Sequence, residues 1–125
     1  MKRLTLMLAL AFVLPACGDD DDPADALGIG AACTATSKCG DNQSCLTQFK
    51  GGYCGSVDCK SNDDCPGSSA CVVHDDGKSY CFRTCTDKIQ CNANRDVTVE
   101  SNCVGSVTFA SGKKEGKVCE PPSGS

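Results

Sequence analysis

The residues that could carry chemistry in this 125-residue chain are above all its thirteen cysteines. Cys17 ends an N-terminal apolar stretch, and the other twelve form three successive groups of four. A thiol can be acylated, bind a metal ion, exchange electrons or form a disulfide, and the spacing of the cysteines helps to distinguish these uses. An odd total in an exported chain leaves one thiol without a partner, which sets Cys17 apart.

The twelve later cysteines repeat with a period of 26 residues. The three groups have the spacings C-x5-C-x5-C-x8-C, C-x5-C-x5-C-x9-C and C-x5-C-x11-C-x15-C. The third group keeps the opening of the other two and enlarges the rest, which is typical of the last unit of an array. We therefore divide this part of the chain into unit 1 (33–58), unit 2 (59–84) and unit 3 with a short tail (85–125).

The first sixteen residues have the pattern of a signal peptide. Lys2 and Arg3 precede an apolar run from Leu4 to Ala16, which is shorter than the roughly 20 residues that span a bilayer. We therefore assign residues 1–16 as a signal peptide rather than a retained transmembrane helix.

Leu14-Pro15-Ala16-Cys17 at the end of this run resembles the lipobox of bacterial lipoproteins. The resemblance implies that Cys17 becomes residue one after cleavage and carries fatty acyl chains such as palmitate, which hold the protein on a membrane. In that family an aspartate directly after the cysteine favours the inner membrane. Gly18 has that position here, so the outer membrane is favoured. The alternative is an ordinary secreted protein that is cut near Ala16.

Residues 17–32 read as the lipidated cysteine and an acidic flexible linker. Five of the sixteen acidic residues lie there, four of them in the run Asp19–Asp22, and large apolar residues are few. Consecutive carboxylates cannot all turn toward one ion, so a solvated spacer is preferred to a calcium site. Residues 33–125 carry 10 basic and 11 acidic side chains, a net charge of −1, and offer no basic surface to nucleic acid.

The composition of the three units predicts a small disulfide-rich fold. Residues 33–125 hold one Leu, one Ile, three Phe and eight Val, 13 of 93 residues, which is below the roughly 20% that hydrophobic burial alone requires. The segment between the third and fourth cysteine of each unit predicts a β-hairpin, with turns at Gly51-Gly52 and Asp76-Gly77 in the first two units. We expect an extended array with little or no helix beyond a turn near 86–90, and a short extra strand at 97–99.

Four cysteines allow three pairings in each unit, and sequence alone does not choose among them. We favour the pairing of the first with the third and the second with the fourth, because both bonds then fasten the open arm of the unit to opposite strands of its hairpin. The expected bonds are Cys33–Cys45, Cys39–Cys54, Cys59–Cys71, Cys65–Cys81, Cys85–Cys103 and Cys91–Cys119.

The C-x5-C-x5-C-x8/9-C units resemble the cysteine-rich repeats of predicted lipoproteins from Gram-negative bacteria. The opening of unit 2, Cys-Lys-Ser-Asn-Asp-Asp-Cys-Pro-Gly, is also similar to the Dickkopf and colipase type of half-domain. The resemblance covers Cys33 to about Cys91. It implies an extracytoplasmic recognition or structural module that is built from short hairpins.

Other candidate sites carry weaker signals. Zinc needs close thiolate pairs such as C-x2-C, which this sequence lacks, so we predict no metal and no cofactor. His74 is expected to be a surface residue at a hairpin tip, and Asp63-Asp64 and Asp75-Asp76 are expected to be solvated turns rather than an acid–base pair. We predict no catalytic residue. An enzyme would need His74 beside carboxylates in a cleft.

Four aromatic residues supply the one signal for binding: Phe49, Tyr53, Tyr80 and Phe82. Packing over the disulfides is the preferred interpretation, and an exposed contact patch is the alternative. Together these features predict a lipid-anchored, extracytoplasmic binding or structural module without catalytic activity. Its expected partners are the membrane, through Cys17, and a protein or envelope ligand, but not nucleic acid. The alternative function is a peptidase inhibitor that presents a rigid tip, either tip 1 (Phe49–Gly52) or tip 2 (Asp75–Lys78).

Overall fold

The computed structural model describes residues 28–111 and 116–123. The predicted signal peptide (1–16), Cys17, the acidic run and the segment 112–115 in the predicted turn of unit 3 lie outside these residues. The elements in chain order are a 3-10 turn (Thr36–Lys38), β1 (Ser44–Cys45), β2 (Cys54–Val57), a 3-10 turn (Asn62–Asp64), β3 (Ser69–Val73), β4 (Ser79–Cys85), α1 (Lys88–Cys91), a 3-10 turn (Val97–Val99), β5 (Asn102–Val104), β6 (Thr108–Phe109) and β7 (Lys117–Glu120).

Six disulfides connect the first cysteine with the third and the second with the fourth in every unit, which is the pairing favoured from the sequence. The bonds are Cys33–Cys45, Cys39–Cys54, Cys59–Cys71, Cys65–Cys81, Cys85–Cys103 and Cys91–Cys119. Each bond closes a loop of 12 to 28 residues, and a loop of this size contributes about 2–4 kcal/mol by restricting the unfolded chain. The predicted class, a small disulfide-rich fold of hairpins with little helix, is confirmed.

Each unit is built on an antiparallel hairpin in which the third and fourth cysteines face each other. The directly paired residues are Cys45 with Cys54, Cys71 with Cys81, and Cys103 with Cys119. Residues that are directly opposite in an antiparallel pair point to the same face of the sheet. The two disulfides of a unit therefore leave the hairpin side by side, one from each strand, and hold the preceding arm against that face.

The three units form a single sheet rather than the extended array that the sequence suggested. β4 is the longest strand and pairs with β3 of its own hairpin, with β2 of unit 1 and with β7 of unit 3. β6 of unit 3 continues the sheet on the far side of β3. The array expectation was wrong because β4 extends beyond its own hairpin partner and offers backbone groups to its neighbours on both sides.

The central hairpin β3–β4 is buried on both faces, and the two faces differ in chemistry. Ala70 lies opposite Phe82 and Val72 opposite Tyr80, and these four residues belong to an apolar core. The alternate pair, Cys71 and Cys81, faces a cluster of disulfides. The apolar core also takes residues from units 1 and 3 and from the segment before Cys33: Ile29, Leu46, Phe49, Tyr53 and Val118.

The folded part begins before Cys33, inside the segment that was predicted to be a linker. Ile29 is only 2% exposed. The backbone N–H of Gly30 donates to the carbonyl of Cys54 at 2.8 Å, and the N–H of Cys54 donates to the carbonyl of Ala31 at 2.9 Å. Residues 28–32 therefore run alongside the start of β2. One buried isoleucine and two backbone hydrogen bonds are enough to attach this short stretch to unit 1.

Two local predictions in unit 3 had different outcomes. The expected strand at 97–99 is instead a 3-10 turn, because the carboxylate of Asp96 accepts hydrogen bonds from the backbone N–H and the hydroxyl of Thr98 at 3.0 and 2.8 Å. The helical turn expected near 86–90 is present as α1. Asp87 and Gln90 cap it reciprocally, each side chain accepting from the backbone N–H of the other.

Two polar side chains join the units inside the fold. Tyr53 is fully buried, and its hydroxyl donates to the carbonyl of Cys119 and accepts from the N–H of Arg83, both at 3.1 Å. Arg95 donates from its guanidinium to four backbone carbonyls at 2.7 to 3.2 Å, those of Gly30, Lys50, Gly52 and Val99. The guanidinium also lies 5.7 Å from the centre of the Tyr53 ring, a cation–π distance. A side chain of unit 3 therefore holds tip 1 and the segment before Cys33.

Candidate functional site

A cleft of about 220 Å³ lies where unit 2 meets unit 3. Unit 2 supplies the end of β3, the first residues of the turn that follows it and one residue of β4, whereas unit 3 supplies the segment around β6 and the end of β7. The lining residues are Val72, Val73, His74, Asp75, Phe82, Ser106, Val107, Thr108 and Glu120. We call it the unit 2–3 cleft. The pairing of β3 with β6, in which Val73 lies opposite Thr108, fixes its two walls relative to each other.

His74 is enclosed, and its predicted position on the surface was wrong. Its side chain is 11% exposed. The ring packs edge-on against Phe49, Tyr80 and Phe82, with centroid distances of 5.3, 5.9 and 5.8 Å. The reason is strand alternation: Ala70 and Val72 point into the aromatic core, and a residue two positions further along the chain points to the same side. His74 is the only histidine of the sequence, and it closes one end of this core.

Glu120 is the charged neighbour of His74. The Nδ1 atom of His74 lies 3.7 Å from the Oε1 atom of Glu120, and the glutamate side chain is 32% exposed. This separation is longer than a hydrogen bond, so the two groups face each other without direct contact. The fold thus brings an imidazole and a carboxylate from distant parts of the chain to the lining of one cleft, to which Asp75 also contributes.

The second carboxylate of tip 2, Asp76, is engaged with Tyr80 rather than with the cleft. The hydroxyl of Tyr80 donates to Oδ2 of Asp76 at 2.5 Å, and the N–H of Lys78 donates to Oδ1 at 2.9 Å. The Tyr80 hydrogen bond lowers the pKa of Asp76. Burial, followed by that same hydrogen bond, raises the pKa of Tyr80. Asp75 and Asp76 therefore have different surroundings.

The remaining sequence candidates have structural roles. Asp64 accepts hydrogen bonds from the N–H groups of Lys60 and Ser61 at 2.7 and 3.2 Å, and these bonds lower its pKa; its neighbour Asp63 is exposed. The four predicted aromatic residues are buried, and they contact one another in a cluster that contains no cysteine. They form an aromatic core and not an exposed contact patch.

The cysteines come close enough in each unit for three sulfur atoms to lie within 4.8 Å of one another. These sulfurs belong to neighbouring disulfides, and a disulfide sulfur is not the thiolate that zinc requires. The disulfide density is that of small domains from oxidising environments outside the cytosol.

No helix among the described residues has the length and apolarity needed to cross a bilayer.

No family model matches the chain, and no curated protein or solved structure is significantly similar to it. Its function is therefore inferred from its own residues and their arrangement.

Sequence reasoning missed Glu120, Ser106 and Thr108 as residues of the cleft. Their positions depend on the pairing of β6 with β3 and of β7 with β4, which joins segments more than 30 residues apart. A signal for His74 was present, since the alternation of Ala70, Val72 and His74 continues along one face of the hairpin. No comparable local pattern marks Glu120.

Proposed function

We propose that this protein is a lipid-anchored binding module that works outside the cytoplasm and catalyses no reaction. The observation that carries the anchoring is the use of the cysteines. The twelve cysteines from Cys33 to Cys119 are joined in six disulfides, so Cys17 has no partner cysteine left in the chain. Its place at the end of a lipobox-like segment then supports acylation.

The arrangement of the folded part supports binding rather than catalysis. The unit 2–3 cleft contains His74 close to a carboxylate, the feature an enzyme would need. However, the hydroxyl-bearing residues that line the same cleft, Ser106 and Thr108, are exposed. Nucleophilic catalysis would require one of these hydroxyls within hydrogen-bond reach of the histidine. Groups held rigidly at a cleft wall are, in contrast, sufficient for recognition.

The anchoring is tested by replacing Cys17 in the full-length protein expressed in a Gram-negative host. Wild-type protein is expected in the membrane fraction with acyl chains on Cys17, and Cys17→Ala is expected in the soluble extracytoplasmic fraction with all six disulfides intact by mass spectrometry. Two or more acyl chains are needed for stable attachment, since one chain binds only marginally. A soluble, unmodified wild-type protein would contradict the proposal.

A peptidase inhibitor is the second candidate, and one observation favours tip 2 for it. Residues 75–78 are exposed, and the hydrogen bonds of Asp76 to Tyr80 and Lys78 fix their conformation. Tip 1 is disfavoured, because Phe49 is 3% exposed and Gly52 is buried. An inhibitor that inserted Lys78 would act on peptidases that cleave after basic residues. Inhibition at stoichiometric concentration, lost in Lys78→Ala, would establish this function; a panel of serine peptidases that remains fully active would exclude it.

A further inference from the structure

The unit 2–3 cleft has the charge and shape of a site for one positively charged side chain. We propose that it binds a primary ammonium or guanidinium group, and that the natural ligand is a lysine or arginine side chain of a partner polypeptide. This inference rests on the proposed function, since it names the ligand of a binding module. The polar groups in the cleft, the charge of its lining and its size support it.

Two polar groups of the cleft lie close together. His74 Nδ1 and Glu120 Oε1 are separated by 3.7 Å and are not bonded to each other. A single donor group can therefore approach both atoms, and a cationic group with several N–H donors can bond to them together. An ammonium has three donors and a guanidinium has five in a planar fork, whereas an alcohol has only one. The carboxylate of Glu120 is an acceptor only, and the imidazole accepts at Nδ1 in the tautomer that carries its proton on Nε2, so the pair suits a donor.

The charge of the lining selects a cation. Glu120 and Asp75 contribute two carboxylates, and the described residues that line the cleft include no lysine or arginine. The side chain of Glu120 is about two-thirds buried, and a partly desolvated carboxylate attracts a cation more strongly than one in open water. An anion would meet repulsion here without a compensating donor from these two residues.

The size of the cleft limits the ligand to a slender group. A volume of about 220 Å³ is below the range of roughly 300–1,000 Å³ for sites that bury drug-sized molecules. Val73 and Val107 line the cleft and keep accessible surface, which can contact the methylene stem of a lysine or arginine. The hydroxyls of Ser106 and Thr108 can accept any donor that is left over.

The test uses His74 as the reporter, because it is the only histidine in the chain. Full-length, acylated protein in detergent micelles carries 13C-labelled histidine, and the imidazole NMR signal is followed at about pH 8, where a histidine ring is ordinarily neutral. The probes are Nα-acetyl-lysine methylamide, its arginine counterpart, and the uncharged Nε-acetyl form of the lysine probe. A saturable shift is expected with the two cationic probes and not with the uncharged one.

Matched variants locate the binding. Glu120→Gln is expected to weaken binding of both cationic probes by roughly tenfold or more, since a charge-assisted hydrogen bond is lost. Asp75→Asn is expected to weaken it less. Asp41→Asn removes the same charge from an exposed position in unit 1 and is expected to bind like wild type. An intact disulfide map and an unchanged circular dichroism spectrum show that each variant is folded.

Three results would overturn the proposal. One is the absence of a saturable shift with either cationic probe. Another is equal binding of the cationic probes by wild type and Glu120→Gln. A third is a shift of the His74 signal with zinc chloride but not with the organic cations, which would indicate a metal site. A short peptide with one lysine is expected to bind more tightly than Nα-acetyl-lysine methylamide if the natural ligand is a polypeptide. Stronger binding of 1,5-diaminopentane than of the peptide would contradict a polypeptide ligand. Mass spectrometry of the same sample reports the acyl chains on Cys17, so a failure of the anchoring proposal is seen separately.

Discussion

The tips of the first two hairpins share nearly the same cysteine frame and have opposite surroundings. Tip 1 is covered by unit 3, because Arg95 donates to the carbonyls of Lys50 and Gly52 and Val99 lies against Gly51. Tip 2 is exposed, and a Cβ atom added at Gly77 would meet nothing within 4 Å. The repeated disulfides therefore fix the hairpin but not the use of its tip. The enlarged loop of unit 3 covers one tip and leaves the other free beside the unit 2–3 cleft.

The largest expected effect comes from adding a methyl group to each tip. Gly52 has a φ of +70°, and its added Cβ would lie 2.1 Å from the carbonyl oxygen of Cys33. Gly77 has a φ of +81° with open space around it. Gly52→Ala is expected to lower the free energy of unfolding by about 4 kcal/mol, combining backbone strain with a clash. Gly77→Ala is expected to lower it by only about 1 kcal/mol, the cost of the left-handed conformation. Denaturant unfolding of the oxidised variants measures both, and similar losses at the two tips would contradict the comparison.

A smaller effect is expected when the side chain that covers tip 1 is removed. Arg95→Ala leaves four backbone carbonyls without their donor and is expected to cost about 3 kcal/mol of unfolding free energy. Arg95→Lys should recover only part of this, because an ammonium cannot reproduce the planar fork of donors. Lys78→Ala at the exposed tip 2 is the control and should change stability by less than about 0.5 kcal/mol. A loss in Arg95→Ala no larger than in that control would mean that unit 3 does not hold tip 1.

The two tyrosine hydroxyls extend the comparison to the core beneath the tips. Tyr53→Phe leaves the carbonyl of Cys119 and the N–H of Arg83 buried without this partner, and a loss of about 2 kcal/mol is expected. Tyr80→Phe removes hydrogen bonds to Asp76 and Gln48, whose side chains water can reach, so a loss of about 0.5 kcal/mol is expected. Thermal unfolding of both variants provides the measurement. A larger loss in Tyr80→Phe would contradict the assignment of Tyr53 as the buried link between units.

Local features of this fold could be predicted from sequence, because the information for them is local. The period of 26 residues marks the units, and Gly51, Gly52 and Gly77 supply the positive φ angles that the turns have. The preferred cysteine pairing agrees with the structure for a related reason. The third and fourth cysteines belong to one hairpin, so the arm before them is fastened only when each bonds to an earlier cysteine.

The joining of the units could not be predicted, and the cleft depends on it. Nothing in the pattern of β4 shows that it pairs with three other strands, and backbone hydrogen bonds carry no side-chain signature. No local sequence pattern distinguishes Arg95 or Glu120 from the other charged residues of the chain. Each gains its role from segments distant in sequence: Arg95 meets Gly30 across 65 positions. Local patterns therefore identify the hairpins, whereas long-range pairing creates the candidate site.

The smallest effect expected at neutral pH comes from ionisation of the tyrosines. A titration of these residues also distinguishes the region beneath tip 1 from the exposed tip 2. The chain has two tyrosines. Burial raises the pKa of Tyr53 far above its ordinary value of 10.0, and burial with the Asp76 hydrogen bond raises that of Tyr80. Because the folded state disfavours the tyrosinate form, the stability that these groups contribute is complete below about pH 10 and is lost as the pH rises through their folded-state pKa values.

The ultraviolet absorbance of tyrosinate measures the ionisation of each tyrosine directly in wild type, Tyr53→Phe and Tyr80→Phe. In Tyr80→Phe the remaining tyrosine is expected to ionise only as the protein unfolds, so absorbance and circular dichroism should change together. In Tyr53→Phe, Tyr80 should ionise above pH 10 but before unfolding, because its hydroxyl lies near the exposed tip 2. A tyrosine that titrates with the ordinary midpoint in the folded Tyr80→Phe variant would show that the region beneath tip 1 admits water, and the contrast between a covered and an open tip would fail.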